Sequence, residues 1–474
     1  MHGCAKLGAK RRLLIVVLSV GLCEVSLAGL AGRIGKVVEP QEGGEYAIQV
    51  VAPASGTVVY NFNARKPLIP ASNMKLVTTA AALKYLGSNF EYKTRVGLCG
   101  TTLVVIGGGD PLLGDPATDD RHGRAGGWAF EQIVKALRDQ GVAEINDIIL
   151  DSTVFDDQRV HPSWPAKDYN KWYACEVCGL NYNDNCIDVT ASNAGGSVRL
   201  DIDPVTRFVQ ITNEVKAVSS GDDAVGAYRS QQPNKITIFG KCRNKQGPFK
   251  VAIEQPAAFF GFMLAEQLGH AGITTNGKLV ENAFDASRRL KPLVEFTTPI
   301  SDVLERANTD SLGLAAEALL KTIDAQHHAD RKNGSWAGGR EQIGKYLAEL
   351  GVPADEFKID DGSGLSRENR LSANTITTVL RSLFKSDDWE LFRSSLAVGG
   401  EEGTIDRYFG EPKYRGKVFG KTGYISGVRS FSGVCLTPAG PYLFSILSNG
   451  AKGLSRDQIN DIVKAIIDEY QDAK

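Results

Sequence analysis

Ser72 and Lys75, in "PLIPASNMKLVTTAAALKYLG", place a hydroxyl and an amine three positions apart, on one face of a helix's first turn. The pair suits nucleophilic catalysis, in which a serine attacks and a neighbouring amine takes its proton. Such a lysine must be neutral, and lowering its pKa from about 10.4 to about 7.5 costs the charged form about 4 kcal/mol. Burial against an apolar helix, with a second cation nearby, supplies that. Alone the pair carries little weight, because Ser-x-x-Lys arises by chance in most chains this long. Two further groups change its meaning. Ser311 stands just before the helix pattern of "ANTDSLGLAAEALLK", and Lys421, Thr422 and Gly423 lie in "GKVFGKTGYISG".

The second of these stretches is not a phosphate-binding loop. Such a loop needs four residues between its first Gly and the Gly-Lys-Ser/Thr, and a helix after it. Here three residues separate Gly416 from Gly420, and Tyr424, Ile425, Val428, Phe431 and Val434 read as strand, turn and strand. Pro70 opens the Ser72 helix, Met74, Leu76, Val77, Ala80, Leu83 and Leu86 give it apolar faces, and Gly87 stops it. Further helices are predicted over 338–350, 371–384 and 454–470.

The ordered trio Ser72-x-x-Lys75, Ser311-Leu312-Gly313 and Lys421-Thr422-Gly423 resembles the S-x-x-K, S-D-N and K-T-G motifs of penicillin-binding proteins and class A β-lactamases. With "IGGGDPLLGD", "LDSTVFDDQRVHPSWP", "GLNYNDNCIDV" and "DGSGLSRENRLSA" in the same order, the chain resembles the D-alanyl-D-alanine carboxypeptidase/endopeptidase family, the low-molecular-mass class C penicillin-binding proteins, over nearly its whole length. The resemblance implies that Ser72 is the nucleophile, Lys75 its base and Ser311 a proton relay. It implies that Lys421 and Thr422 meet the substrate carboxylate, and that the N–H groups of Ser72 and Tyr424, beyond Gly423, form an oxyanion hole. It further implies peptidoglycan peptide stems as substrate, β-lactam antibiotics as inhibitors, and no cofactor or metal. Two departures stand out: Gly313 replaces the Asn of the second motif, and Tyr424 replaces a common Thr. A backbone N–H survives the second change, whereas the first removes a side-chain amide worth roughly 1.5–3 kcal/mol.

The gap from Lys75 to Ser311 exceeds what a β-lactamase-sized fold needs. The resemblance implies an α/β (α+β), β-lactamase/transpeptidase-like catalytic domain assembled from 29–93 and 288–474, with β-rich inserted domains over 94–287. "RVGLCGTTLVVIGGG", "SVRLDIDPVTRFVQITNEV" and "NKITIFGKCR" alternate as strands do. Three rivals differ in class. A β-lactamase adds a carboxylate for deacylation, which "EVCGLN" from Glu176 mimics with one residue too many. A non-catalytic peptidoglycan-binding relative, crippled at Gly313, binds without turnover. A different serine esterase lacks support, since no Gly-x-Ser-x-Gly surrounds Ser72.

The chain has 474 residues, enough for about two or three domains, and its 54 basic residues balance 55 acidic ones, which gives no argument for nucleic acid. Lys6, Lys10, Arg11 and Arg12 precede an apolar run from Leu13 to Leu22, with small residues at Ser26 and Ala28. That is a secretory signal over 1–28, cut after Ala28, with a periplasmic destination. The run is shorter than the roughly 20 apolar residues that span a bilayer, so no transmembrane anchor is expected. Export turns the six remaining cysteines, Cys99, Cys175, Cys178, Cys186, Cys242 and Cys435, into disulfide candidates, with Cys175 to Cys186 favoured over buried thiols or zinc.

Overall fold

The computed structural model describes residues 21–38, 44–327 and 333–471, and only the backbone of 21–28. The expected leader lies outside the described residues up to position 20; from there a helix, Gly21–Val37, runs without a break across Ala28.

A six-stranded antiparallel sheet forms the centre, in the order Ala397–Val398, Val418–Ile425, Val428–Thr437, Gly440–Asn449, Glu45–Ala52, Thr57–Phe62. Its inner strands are buried on both faces, so they read as near-continuous apolar runs, as "YLFSILS" does in Gly440–Asn449. One face takes Gly21–Val37 and the closing helix Arg456–Glu469, through Leu30, Ile34, Ile462, Val463 and Ile466 against Ile48, Phe431, Phe444 and Ile446. The closing helix begins at a capping box, Ser455 with Gln458, which satisfies backbone donors at its first turn. On the other face lie Met74–Leu86, Gly313–His327, Trp336–Glu349 and Ala373–Phe384. Met74 to Leu83 are all buried, as befits a helix that is mostly apolar all round.

The chain leaves this body through Glu91–Cys99 and returns through Lys291–Pro299, which pair antiparallel from Glu91–Pro299 to Leu98–Lys291. Both belong to a five-stranded mixed sheet with Thr102–Ile106, Ile148–Asp151 and Leu279–Glu281. Between them come two three-stranded sheets and two substantial helices, Trp128–Asp139 and Pro256–His270, around a second core that includes Leu103, Phe130, Leu150, Ile187, Ile238 and Phe260.

The expectation of a local disulfide is not met. Cys99, Cys175, Cys178, Cys186, Cys242 and Cys435 are all free thiols. Cys175 and Cys186 sit in the same apolar core, where burial pushes the Cys175 thiol above its usual range and, with Cys175 beside it, does the same to Cys186.

Candidate active site

The turn that carries Ser72 is held from three sides. Ala71 has a left-handed φ of 46°, unusual for a residue with a Cβ, and starts a short 3-10 turn, Ala71–Asn73, which leads into Met74–Leu86. Such a conformation persists only where its surroundings enforce it. Ser430 Oγ donates to Pro70 O at 2.6 Å, Asn73 Nδ2 donates to Lys421 O at 2.7 Å, and Ser432 Oγ donates to Asn73 Oδ1 at 2.6 Å. These bonds fasten the turn to the strands Val418–Ile425 and Val428–Thr437. Gly423 permits the approach: a Cβ there would fall 2.9 Å from Pro70 O and 3.0 Å from Ser72 N. Gly364, with φ of 83°, passes so close to Ala71 O that a Cβ has no room.

Lys75 is buried, and its Nζ lies 3.2 Å from Ser72 Oγ while donating to Ser363 O at 2.8 Å. Burial pushes its pKa down to about 8, against the opposing pull of Glu317 and Asp361. A neutral amine in this position can accept the Ser72 proton and still donate to Ser363 O. Lys421, fully buried, donates from Nζ to Thr422 O at 2.9 Å; burial first, then Lys75 and Arg456, push it well below the usual lysine range, while Asp310 acts in the opposite sense. Thr422 Oγ1 donates to Thr404 Oγ1 at 3.0 Å, and Tyr424 at the rim is exposed with Arg429 over its ring.

Ser311 has a left-handed φ of 65° and directly precedes the helix Gly313–His327. Its flanks are pinned by Arg306, whose Nη1 reaches Asp310 Oδ2 at 2.6 Å and whose carbonyl accepts Leu312 N–H at 2.9 Å. Among the described residues Ser311 forms no hydrogen bond with Ser72 or Lys75; the neighbouring Asp310 acts on Lys421. Gly313 opens its helix with ordinary backbone, and a Cβ there would lie 3.1 Å from Tyr173 O. The carbonyl of Tyr173 occupies the direction a side chain at this position would take. Glu176, the other carboxylate considered from sequence, receives Gln255 N–H at 3.0 Å within the segment between Glu91–Cys99 and Lys291–Pro299.

Sequence reasoning missed the support beneath Lys75. Ser363 supplies a backbone carbonyl, and Asp361 organises its loop by accepting from Gly364 N, Ser366 N, Trp164 Nε1 and Asn369 Nδ2. The stretch "DGSGLSRENRLSA" contains both, but only as a likeness. Glu317, a charge inside the apolar pattern "GLAAEALLK", was the available signal.

A mixed α/β core thus holds a serine at a helix start, a buried lysine beside it and a Lys-Thr-Gly strand fastened to the same turn. The D-Ala-D-Ala carboxypeptidase 3 (S13) family matches residues 31–471, and the chain belongs to that family. It is therefore a hydrolase of the D-Ala-D-Ala carboxypeptidase type. A D-alanyl-D-alanine carboxypeptidase of Actinomadura sp. (strain R39) is 27% identical over 456 residues, covering 90% of this chain and 82% of its own. The crystal structure of penicillin binding protein 4 (dacB) from Haemophilus influenzae is similar in fold, with a TM-score of 0.77 at 21% identity over 94% of this chain and 99% of that one. The same Haemophilus protein complexed with a β-lactam superposes with a TM-score of 0.72 at 21% identity, over 94% and 99% of the two chains.

Proposed function

We propose that this chain removes the terminal D-Ala from peptidoglycan peptide stems, or opens a D-amino-acid cross-link between them, through an acyl-enzyme on Ser72. The observation that carries the reading is the 3.2 Å contact of Lys75 Nζ with Ser72 Oγ, made by an amine whose burial favours its neutral form. Neutral Lys75 accepts the Ser72 proton as Oγ attacks the carbonyl carbon of the penultimate residue. The C–N bond breaks, the departing amine receives a proton by way of Ser311, and the stem remains on Ser72 as an ester. Water hydrolyses the ester, releasing the shortened stem as a carboxylate. Lys421 and Thr422 hold the substrate's free carboxylate, and the N–H groups of Ser72 and Tyr424 face the developing oxyanion. Family membership supports the reaction class, and the scheme needs no cofactor.

In this reading residues 29–93 and 288–474 form the catalytic domain and 94–287 the inserted segment. The leader to Ala28 directs the chain across the inner membrane to the periplasm. Among the described residues no helix is long and apolar enough to cross a membrane.

A β-lactam tests the reading, because it imitates the D-Ala-D-Ala terminus and its ring remnant blocks the water that would release it. Trypsin spares Lys66 before Pro67, so cleavage after Arg65 and Lys75 isolates "KPLIPASNMK", whose one hydroxyl is on Ser72. A penicillin-sized mass increment on that peptide, absent in Ser72→Ala, is the expected result. Rapid drug hydrolysis with a fleeting adduct favours a β-lactamase. No adduct from folded protein favours the peptidoglycan-binding relative, with Gly313 the first suspect.

A further inference from the structure

The helix that follows Ser311 buries a carboxylate that the acyl-transfer scheme does not use. Glu317 is fully buried and accepts three N–H bonds: Oε1 from Ser363 N at 2.7 Å, and Oε2 from Gly362 N at 2.9 Å and Trp336 Nε1 at 2.8 Å. The two amides belong to the turn whose carbonyls grip the Ser72 helix. Ser363 O accepts Lys75 Nζ at 2.8 Å, and Gly362 O accepts Thr78 Oγ1 at 2.8 Å, about one turn further along the same face. A path of named bonds therefore runs from the Ser311 helix through Glu317 and the 362–363 amides to Ser363 O, Lys75 Nζ and Ser72 Oγ. An ionised carboxylate suits the centre of this path because it only accepts; a Gln side chain there turns an NH₂ group toward at least one N–H.

Charged groups face Glu317 from three of the elements around it, and Trp336 meets it from the helix Trp336–Glu349. Lys75 faces it from the Ser72 helix and Asp361 from the 360–366 loop, while Lys321, one turn along its own helix, points its Nζ to Asp156 Oδ1 and Gln158 O. Behind Asp361 stand His161, Asp360 and Arg340, and behind Lys75 stands Lys421. Glu317 and Asp361 are the negative charges that hold a proton on Lys75 against its burial. We propose that Glu317 is a positioning residue for the general base: its carboxylate fixes the Ser363 carbonyl on Lys75 Nζ, and its charge sets the pH at which that amine can activate Ser72. The proposal rests on the reading of Lys75 as the base of Ser72. Burial, then Asp361, raise Glu317 itself to about 7.

The experiment is the rate of Ser72 acylation by a fluorescent penicillin, followed from about pH 5.5 to about pH 10 in the purified full chain, for the parent, Glu317→Gln and Glu317→Asp. Removing the charge in Glu317→Gln makes Lys75 easier to deprotonate, so the acid limb moves to lower pH by about one unit. The plateau falls about tenfold as the turn loosens. Glu317→Asp keeps the charge but not the reach, so its limb stays within a few tenths of a unit of the parent's and only its plateau falls. A lowered plateau with an unmoved limb in Glu317→Gln reduces Glu317 to a structural part and overturns the proposal, as does a limb moved upward. Should Glu317→Gln fail to fold, Glu317→Asp decides: a parent-like plateau, or a limb displaced by a unit, overturns it. A parent that shows no adduct on the Ser72 peptide, or a Lys75→Arg variant acylated normally, defeats the base reading instead.

Discussion

At the scale of single residues, Lys75 and Gly313 carry the sharpest expectations. In the proposed reaction only neutral Lys75 can take the Ser72 proton, and its burial brings the pKa down to about 8, so acylation should rise as pH climbs through about 8 and fall away below it. Lys75→Arg should abolish acylation at every pH, because a guanidinium keeps its proton throughout the working range. Stopped-flow acylation across that range checks both, and a flat profile in the parent enzyme would sink the assignment. Gly313 invites restoration of the missing amide, yet its surroundings argue against a gain. A Cβ placed 3.1 Å from Tyr173 O requires that backbone to retreat by a few tenths of an ångström, and overpacking of this kind costs about 1–3 kcal/mol. Gly313→Asn should therefore lower acylation and melting temperature together. Faster turnover at unchanged melting temperature would show that the Tyr173 segment yields freely.

Among the elements, the short helix Ile300–Asn308 governs the Ser311 loop through one buried side chain. Arg306 Nε and Nη2 reach Asp115 Oδ2 and Oδ1 at 2.8 and 2.9 Å, and Asp184 stands 3.7 Å from Nη2. Burial pushes Asp115 up, but Arg306 and the bonds it receives outweigh that and leave it at about 2. A carboxylate held below its ordinary 3.8 contributes stability above that value and loses it as pH falls through about 2, so the clamp is intact at neutral pH. Arg306→Ala strands buried charge and should cost about 3–5 kcal/mol in denaturant unfolding at neutral pH. A loss under about 1 kcal/mol would mean that Lys250, 2.9 Å from Asp184, compensates. The elements themselves were largely legible. Pro70 and Gly87 bracket the Ser72 helix as read, with the first positions tightened into a 3-10 turn, and the Lys-Thr-Gly strand, turn and strand follow their periodicity. What escaped was non-local: Ser363 O meets Lys75 across 288 residues as a backbone atom, which carries no side-chain signature. Glu317 breaks an apolar pattern but gives no hint of its partners. Tyr173 over Gly313 is a contact between distant segments that spacing cannot encode. The cysteine cluster misled because proximity in sequence and a shared core satisfy the search for a disulfide without forming one.

Across the whole molecule, the long excursion between Lys75 and Ser311 shares its interior with the helices Met74–Leu86, Gly313–His327 and Ala373–Phe384. Leu112, Phe155, Trp164, Ala174 and Val177 belong to the same apolar core as Leu76, Leu319 and Leu380, and Trp164 Nε1 donates to Asp361 Oδ2 at 2.8 Å. Lys321 makes the dependence acute. It is fully buried, donates to Asp156 Oδ1 at 2.7 Å and Gln158 O at 2.6 Å, and lies 3.9 Å above the Trp336 ring. Deleting 94–287 and joining Lys93 to Arg288 by a short turn removes both of its polar partners and the Phe155 and Trp164 side of the core. An unpaired buried ammonium costs several kcal/mol, a large part of the roughly 5–15 kcal/mol that holds a domain folded. The Ser363 turn beneath Lys75 loses its Trp164 brace at the same time. The truncated chain should therefore fail to label with fluorescent penicillin, and circular dichroism should report lost cooperative unfolding rather than a smaller stable domain. Adding Lys321→Met to the deletion removes the stranded charge and should recover part of the fold before any labelling returns. A truncated chain that melts cooperatively and labels at the parent rate would instead make the excursion an appendage, and the shared core would have no bearing on the site.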